Sequence, residues 1–228
     1  MRIHNTSNPA KEAGDHINQI FNKHQGDIVC LLSGGSVLEV TRYIKIPDES
    51  ECRTIFIMGD ERVSRGVNIN NYLQLQALLP NSKILRNTIP TVPEENENSI
   101  DFAVRIEKTF LQIFSELKEP KIISLLGVGE DGHVAGIFPL EKAIFYTVYK
   151  DDRAYVPVPA NELKIDYRAS FTPSWMLMNV DEIIAYLSGK PKQIILESLI
   201  GEQKEIYERP AELLKEHKHS HIYTDTHL

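Results

Sequence analysis

The chain has 228 residues, 42% of them hydrophobic, and a formal net charge of −7. This length supports a sizeable core without help from disulfides. The negative charge argues against nucleic acid or an acidic membrane surface as a principal partner.

The cysteine content and the first residues indicate the compartment. Cys30 and Cys52 are too few for a disulfide framework and lie in apolar segments, so we expect buried free thiols. No apolar stretch approaches the roughly 20 residues of a membrane span, and the N-terminus lacks a signal-peptide core. We expect a cytoplasmic protein with a single domain over residues 1–228.

The first predicted unit is a helix followed by a strand, a glycine turn and a second helix. Residues 9–24 carry apolar side chains at helical spacing, and DIVCLL then ends in Ser33-Gly34-Gly35-Ser36. The helix-like VLEVTRYI follows directly. Free backbone N–H groups at its start favour an anion, and both serines can donate to a phosphate. An ordinary turn with a serine cap fits this stretch equally well.

A second apolar run, CRTIFIMGDERV, ends in charged residues. Asp60, Glu61 and Arg62 together after such a run indicate an active site more than a solvated loop. Asn70 and Asn71 precede the helical YLQLQALL. The proline-rich and acidic stretch 90–97 predicts an exposed loop, and 103–117 predicts an amphipathic helix.

The stretch 122–139, IISLLGVGEDGHVAGIFP, predicts a buried strand that opens into a tight turn. Asp131 and His133 then project into the crevice where open α/β sheets bind ligands, and histidine accepts protons at neutral pH. A merely structural or solvated His133 is the plain alternative.

The spacing of Gly127, Gly129 and Gly132, with Asp151 and Asp152 further on, also fits a dinucleotide fingerprint. It is the weaker interpretation. Gly136 and Pro139 leave little room for a long helix, and Asp131 would repel a pyrophosphate.

Four further segments complete the chain. AIFYTVY and AYVPVP predict strands, the second at a sheet edge because of its prolines, and EIIAYL predicts a buried strand. Residues 188–192 then form a glycine turn with two lysines before the helix QIILESLI. This is a second candidate anion site, or else a solvated cationic turn.

Strands alternate with helices throughout, which predicts a mainly parallel sheet covered on both faces. The C-terminal tail carries several histidines. His219 and His221 would share a strand face, but no carboxylate or cysteine set completes a metal site. We therefore expect no metal there and exposed side chains for His217, His219, His221 and His227.

The motif Gly-x-Gly-x-Asp-Gly-His-x-Ala at 127–135, followed by Phe138-Pro139, resembles the signature of the 6-phosphogluconolactonases and of the related glucosamine-6-phosphate deaminases. Other segments resemble the family in the same order along the chain. They are Ser33–Ser36, Gly59–Val63, Asn71-Tyr72, Arg168 with Phe171-Thr172, and Gly189-x-x-Lys192.

The resemblance implies a fold and an activity. The fold would be a three-layer, Rossmann-like α/β domain of the glucosamine-6-phosphate deaminase/ribose-5-phosphate isomerase type. The activity would be hydrolysis of 6-phospho-D-glucono-1,5-lactone to 6-phosphogluconate in the pentose phosphate pathway, with no metal or organic cofactor. The partner would be a small phosphosugar, and the chain would be a monomer or a small homo-oligomer.

The resemblance also assigns roles to residues. His133 would be the general base on water, with Asp131 holding it. Arg62 would face the sugar acid or the oxyanion, and Asp60 would orient the substrate or Arg62. The remaining residues would bind the substrate and its phosphate: Ser33, Gly34, Gly35, Ser36, Asn71, Gly129, Arg168 and Lys192.

Three positions keep two alternatives open. Deaminases carry Asn-Glu-Pro where this chain has Ile137-Phe138-Pro139, so a deaminase would lack its catalytic glutamate. Gly136 and Asn70 each replace a serine usual in the lactonases. Altered turnover, a different substrate or a non-catalytic sugar-phosphate-binding module would fit those changes.

Overall fold

The computed structural model describes residues 1–47, 54–149, 152–159 and 167–226; Cys52, Asp151 and His227 lie outside these ranges. The described strands are β1 (Arg2–Asn5), β2 (Ile28–Leu32), β3 (Thr54–Met58), β4 (Asp60–Arg62), β5 (Lys121–Gly127), β6 (Tyr155–Val158), β7 (Arg168–Phe171), β8 (Glu182–Leu187) and β9 (Ser220–Thr224). The α-helices are α1 (Pro9–Lys23), α2 (Asn71–Leu78), α3 (Lys83–Arg86), α4 (Ser99–Ser115), α5 (Lys142–Val148), α6 (Pro173–Asn179), α7 (Gln193–Gly201) and α8 (Leu213–Glu216).

Six of these strands form one parallel sheet in the order β1-β9-β8-β5-β2-β3. β5, the strand of the glycine and histidine motif, lies inside the sheet between β2 and β8. Because parallel strands all point the same way, the carboxyl ends of β2, β3, β5 and β8 meet at one edge. The predicted parallel sheet is confirmed.

Both faces of this sheet are buried, as predicted. All five residues of β2 are buried, and they alternate between two clusters. Val29 and Leu31 pack with α4 on one face, while Ile28, Cys30 and Leu32 pack with α1 on the other. A strand buried on both sides must be apolar along its whole length, which is why DIVCLL shows no alternation. Among the described residues, no helix has the length and apolar composition of a membrane span.

A second, antiparallel sheet has the order β4-β7-β6. Asp60–Arg62 therefore do not form a loop after β3; they form a strand that pairs Asp60 with Ser170 and Arg62 with Arg168. This pairing brings two segments that are more than 100 residues apart to the same rim. β6 lies at the edge of the small sheet, as Pro157 predicted.

The predicted strand over AIFYTVY is wrong, because these residues form α5 and its C-cap. Phe145 and Tyr149, one helical turn apart, are buried, whereas Ile144 and Tyr146 are exposed. β-Branched and aromatic residues favour strands only weakly, and one packed helical face outweighs that preference here. The helix predicted over VLEVTRYI is present as a 3-10 helix at Gly35–Tyr43.

Tyr149 anchors the segment that follows the histidine motif. Its buried hydroxyl donates to the carbonyl of Gly136 at 2.8 Å and accepts from the backbone N–H of Phe138 at 3.0 Å. Burial also raises the pKa of this hydroxyl, so that it stays a donor. The Tyr149 side chain thus ties two backbone positions of the loop between β5 and α5 to this helix.

We predict that Tyr149→Phe lowers the free energy of unfolding by about 1–3 kcal/mol, since it leaves a buried carbonyl and a buried N–H unpaired. Urea unfolding measures this change. The control is Tyr146→Phe, three residues earlier on the exposed face of α5. For this variant we expect a change in the free energy of unfolding within about 0.5 kcal/mol. Equal effects in the two variants would contradict the anchoring role.

Candidate functional site

A cavity of about 180 Å³ opens at the carboxyl edge of the parallel sheet. Ten of the twelve residues that the sequence singled out line it: Ser33, Gly34, Gly35, Ser36, Asp60, Arg62, Gly129, His133, Arg168 and Lys192. The other two, Asn71 and Asp131, lie directly behind this lining, where they contact Asp60 and His133. The remaining lining residues were not predicted as site residues, although Gly127 and Ala135 belong to the motif at 127–135; they are Val37, Gly127, Val128, Ala135 and Tyr186.

The histidine at the cavity is held by three neighbours. His133 Nδ1 lies 2.6 Å from Asp131 Oδ1, and the backbone N–H of His133 donates to the same oxygen at 3.1 Å. The imidazole stacks on Phe138, with ring centroids 4.6 Å apart. A Cβ at Gly129 would lie 2.1 Å from His133 Nδ1, so only glycine lets the ring take this position.

The Asp131–His133 pair is electrostatically coupled. Burial alone would raise the pKa of Asp131, but the hydrogen bond and charge of His133 outweigh it and hold that pKa below its ordinary value. Asp131 is therefore an anion at neutral pH. Because it occupies Nδ1, it leaves Nε2 as the nitrogen that can accept a proton.

The turn after β2 depends on its two glycines. Gly35 has φ +69°, which glycine adopts without strain, and the 3-10 helix that begins there has no side-chain cap. The serine-capped turn is therefore not what the structure contains. A Cβ at Gly34 would lie 2.0 Å from Asn71 Oδ1, so this glycine is required for the close approach of α2.

Asp60 and Arg62 are two residues apart on β4, so their side chains lie on the same face of the strand, and both line the cavity. Burial raises the pKa of Asp60, although the nearby Arg62, Arg168 and His133 partly offset the effect. Asn71 Nδ2 donates to the backbone carbonyl of Asp60 at 2.9 Å. Asn71 thus fixes the strand segment that carries Asp60 rather than lining the cavity itself.

Glu61 was grouped with Asp60 and Arg62 in the sequence but was given no role of its own. It points away from the cavity, is fully buried, and accepts hydrogen bonds from four donors. These donors are the backbone N–H groups of Arg62, Asn71 and Tyr72 and the hydroxyl of Thr91. The alternation of a strand was the signal that could have found it.

Thr91 is buried within a segment that the sequence predicted as an exposed loop. Its hydroxyl lies 2.6 Å from Glu61 Oε2, so this part of the prediction is wrong. A buried carboxylate needs donors, and the loop supplies one. The acidic residues Glu94 and Glu95 in the same loop are exposed as expected.

The Asn70 departure from the lactonase pattern has a structural explanation. Asn70 caps α2 by accepting from the N–H of Leu73 at 2.9 Å. Its amide also donates to the carbonyls of Arg62 and Thr91. Serine could supply the cap but not these two further bonds, because a hydroxyl has a single donor.

The Gly136 departure is matched by Ser170. A Cβ at Gly136 would lie 2.7 Å from Ser170 Cβ and 3.3 Å from Asp60 Cβ. The Ser170 hydroxyl accepts from the N–H of Gly136 at 3.1 Å and donates to the Phe171 carbonyl. Ser170 on β7 therefore fills the space that a residue-136 side chain would need.

Arg168 and Lys192 bring further positive charge to the cavity. The guanidinium carbon of Arg168 lies 5.2 Å from the centroid of the Phe138 ring, and Lys192 Nζ donates to the carbonyl of Val128 at 2.6 Å. Gly189, with φ +89°, makes the turn that delivers Lys192. Lys190, in the same turn, does not line the cavity.

The loop of the histidine motif is braced from outside by Arg209, which sequence reasoning also missed. Gly132 has φ +85°, and a Cβ there would lie 2.7 Å from Arg209 Cγ. Arg209 is buried and paired with the buried Glu212. It carries no sequence signal, because its contacts are decided by the packing of the C-terminal segment.

The site therefore combines three cations, an uncapped glycine turn and an imidazole backed by a carboxylate. Among the described residues that line the cavity, Asp60 is the one acidic side chain. In a chain of net charge −7, such local concentration of positive charge favours an anionic ligand. The imidazole beside it favours proton transfer on that ligand.

The fold and the site define an α/β protein with a candidate site for an anionic ligand at the carboxyl edge of its parallel sheet. Residues 5–223 match the family of glucosamine-6-phosphate isomerases/6-phosphogluconolactonases. The chain belongs to this family.

Individual relatives agree with the family assignment. The chain is 32% identical over 103 residues to a 6-phosphogluconolactonase of Borreliella burgdorferi, a match that covers 44% of this chain and only 41% of that protein. It is 23% identical over 197 residues to a 6-phosphogluconolactonase of Helicobacter pylori, covering 82% and 78%. The solved 6-phosphogluconolactonase from Plasmodium vivax superposes with a TM-score of 0.75 at 17% identity, covering 100% and 90%, which shows a shared fold.

Glu61 gives a pH prediction. Burial raises its pKa from 4.5 to about 7, against the opposing hydrogen bond from Thr91. The folded chain thus holds this proton more tightly than the unfolded chain. The corresponding stability is complete below about pH 4.5 and is lost as the pH rises towards 7.

We predict that Glu61→Gln removes this dependence. Between pH 4.5 and 7.5, the free energy of unfolding of the parent should fall relative to the variant by up to about 3 kcal/mol, at about 1.4 kcal/mol per unit of pKa shift. Urea unfolding at several pH values measures the slope. Glu95→Gln, on the exposed loop, should keep the parent's slope; the same slope in all three proteins would refute the prediction.

Proposed function

We propose that this protein hydrolyses 6-phospho-D-glucono-1,5-lactone to 6-phosphogluconate. The observation that carries the proposal is a single cavity lined by His133, by the turn at Ser33–Ser36 and by Lys192. Two relatives of the chain are named 6-phosphogluconolactonase. A lactone with a phosphate at its far end needs both a base and an anion cradle, which His133 and the turn at Ser33–Ser36 would supply.

In this proposal, His133 is the general base. Its Nε2 takes a proton from a water molecule as that water attacks the lactone carbonyl, and the protonated ring then returns the proton to the leaving ring oxygen. Asp131 stabilises the imidazolium through Nδ1. Phe138 keeps the ring plane fixed by stacking, so little reorientation is needed during the reaction.

Charge that develops on the carbonyl oxygen requires a donor. Arg62 is the candidate, because it faces the cavity and its Nη1 is fixed by a 3.0 Å hydrogen bond to the carbonyl of Ile69. Asp60 lies two residues earlier on the same strand and orients the substrate or Arg62. The antiparallel pairing of β4 with β7 sets the position of both groups.

The phosphate would bind at the other end of the cavity. Gly34, Gly35 and Ser36 offer backbone N–H groups at the start of the 3-10 helix, with the Ser33 hydroxyl beside them. The Ser33 hydroxyl is buried and has no hydrogen-bond partner within the described residues, which fits a donor kept for a ligand. Arg168 and Lys192 would complete the cradle, with Gly129 forming its floor.

A deaminase of an aminosugar phosphate is the alternative within the family, and Phe138 argues against it. Its ring is buried between His133 and Arg168 and carries no group that can transfer a proton. We therefore expect no release of ammonia from glucosamine 6-phosphate.

We predict that His133→Gln lowers kcat by about 100- to 10,000-fold, since the general base is lost while the phosphate cradle remains. The assay follows acid release from freshly made lactone, with the spontaneous rate subtracted. His219→Gln, an exposed histidine far from this cavity, should keep the parental kcat.

Undiminished acceleration in His133→Gln would refute the assigned base. If the parent itself gave no acceleration but was stabilised by 6-phosphogluconate, the non-catalytic binding module would replace the hydrolase.

Lys192→Ala should raise KM by about 10- to 100-fold with little change in kcat. A charge-assisted hydrogen bond to phosphate is worth about 1.5–3 kcal/mol and acts equally on the ground state and the transition state. The matched control is Lys190→Ala, in the same turn but outside the cavity lining, for which KM should stay within about twofold. A fall in kcat with an unchanged KM in Lys192→Ala would contradict a phosphate-binding role.

A further inference from the structure

A second cluster of functional side chains lies at the opposite edge of the sheet. His16 on α1, Glu182 at the amino end of β8 and His221 near the amino end of β9 place one ligand-type atom each within 4.8 Å of one another. Of the residues that the structure describes, these three form the one such group. Each side chain is 12–18% exposed, so the cluster is sheltered but reachable.

We propose that His16, Glu182 and His221 form a binding site for a divalent transition-metal ion of the Zn²⁺ class. The sequence predicted no metal for the C-terminal histidines, because it showed no carboxylate beside them. Glu182 is that carboxylate, and it comes from the neighbouring strand of the parallel sheet. The pairing is invisible in the sequence, since 39 positions separate the two residues.

The interatomic distances suit the coordination of zinc. His16 Nε2 lies 2.9 Å from Glu182 Oε1, and His221 Nε2 lies 3.3 Å from the same oxygen. Ligand atoms about 2.0–2.1 Å from a tetrahedral zinc ion are about 3.3 Å apart. Two of the three distances between ligand atoms are thus already close to those of a tetrahedral zinc site.

The second nitrogen of each imidazole is also held. His221 Nδ1 lies 3.0 Å from His4 Nε2, and His16 Nδ1 lies 2.8 Å from the hydroxyl of Tyr223. Metal-bound histidines characteristically use their second nitrogen in this way, which fixes the ring and its tautomer. In both rings, Nε2 therefore faces Glu182 while Nδ1 lies within hydrogen-bond distance of another side chain.

The ligand set suits a borderline-soft cation, because two imidazoles and one carboxylate favour Zn²⁺, Ni²⁺ or Cu²⁺ over Mg²⁺ or Ca²⁺. A cavity of about 520 Å³ adjoins the cluster and gives solvent access to a fourth ligand.

The same cavity is also lined by Arg2, Lys121 and Lys218, whose charges oppose a cation. Asp181 lies 3.6 Å from the Lys121 ammonium and offsets part of that charge. The site also has an explanation without metal, in which both imidazoles donate Nε2–H to Glu182. Direct binding measurements separate the two, because a proton-bridged network has no need of an ion.

The test uses the full chain, stripped with a chelator and titrated with Zn²⁺ by calorimetry, and then with Co²⁺ by visible spectroscopy. We expect one Zn²⁺ per chain, a rise in the unfolding temperature, and the intense visible bands of tetrahedral Co²⁺. Glu182→Gln and His16→Gln should abolish all three signals. Tyr223→Phe should weaken Zn²⁺ binding about 10-fold, since it frees His16 Nδ1.

Two controls keep the outcome clear. His219→Gln, an exposed histidine in the wall of the same cavity, should bind Zn²⁺ like the parent. His133→Gln should also bind like the parent, because it removes the imidazole of the other cavity. The proposal is overturned if the parent binds no Zn²⁺, if Glu182→Gln and His16→Gln both retain it, or if only His133→Gln loses it.

Discussion

The candidate active site depends on the buried carboxylate of Glu61. It accepts bonds from the first backbone N–H groups of α2 and from the hydroxyl of Thr91, and so joins β4, a helix and a loop at one point. A buried carboxylate is tolerable only because these donors satisfy it, and they in turn are held by it. The position of Asn71, and through it of Asp60 and the Gly34 turn, follows from this junction.

Phe138 plays the corresponding role on the other side of the cavity. Its ring contacts the imidazole of His133 and the guanidinium of Arg168, so one apolar side chain positions both a proposed base and a proposed phosphate ligand. The backbone N–H of Phe138 is bonded to the hydroxyl of Tyr149, which ties this position to α5. A residue that argues against deaminase chemistry is thereby a structural element of the proposed lactonase site.

Sequence patterns were informative where local physics decides the outcome. The apolar run of β2, the glycine turn at 34–35 and the Asp131–His133 spacing each depend on neighbours close in the chain, and the structure contains them all. AIFYTVY failed because its local preference for a strand was weaker than the packing of Phe145 and Tyr149. The histidines of the tail were expected to be exposed, yet His217 is buried and His221 is largely so.

The sequence by itself determined the α/β class, the family and most of the polar residues that line the cavity. Glycine turns and charged residues at strand ends can be recognised from a few neighbouring residues in the chain. Only the tertiary structure decided which side chains support them. Glu61 with Thr91, Ser170 against Gly136, and Glu182 beside His221 are partners brought together by strand pairing and helix packing across 30 or more residues. Such partners share no local pattern, since sheet register and burial, rather than spacing along the chain, determine their contacts.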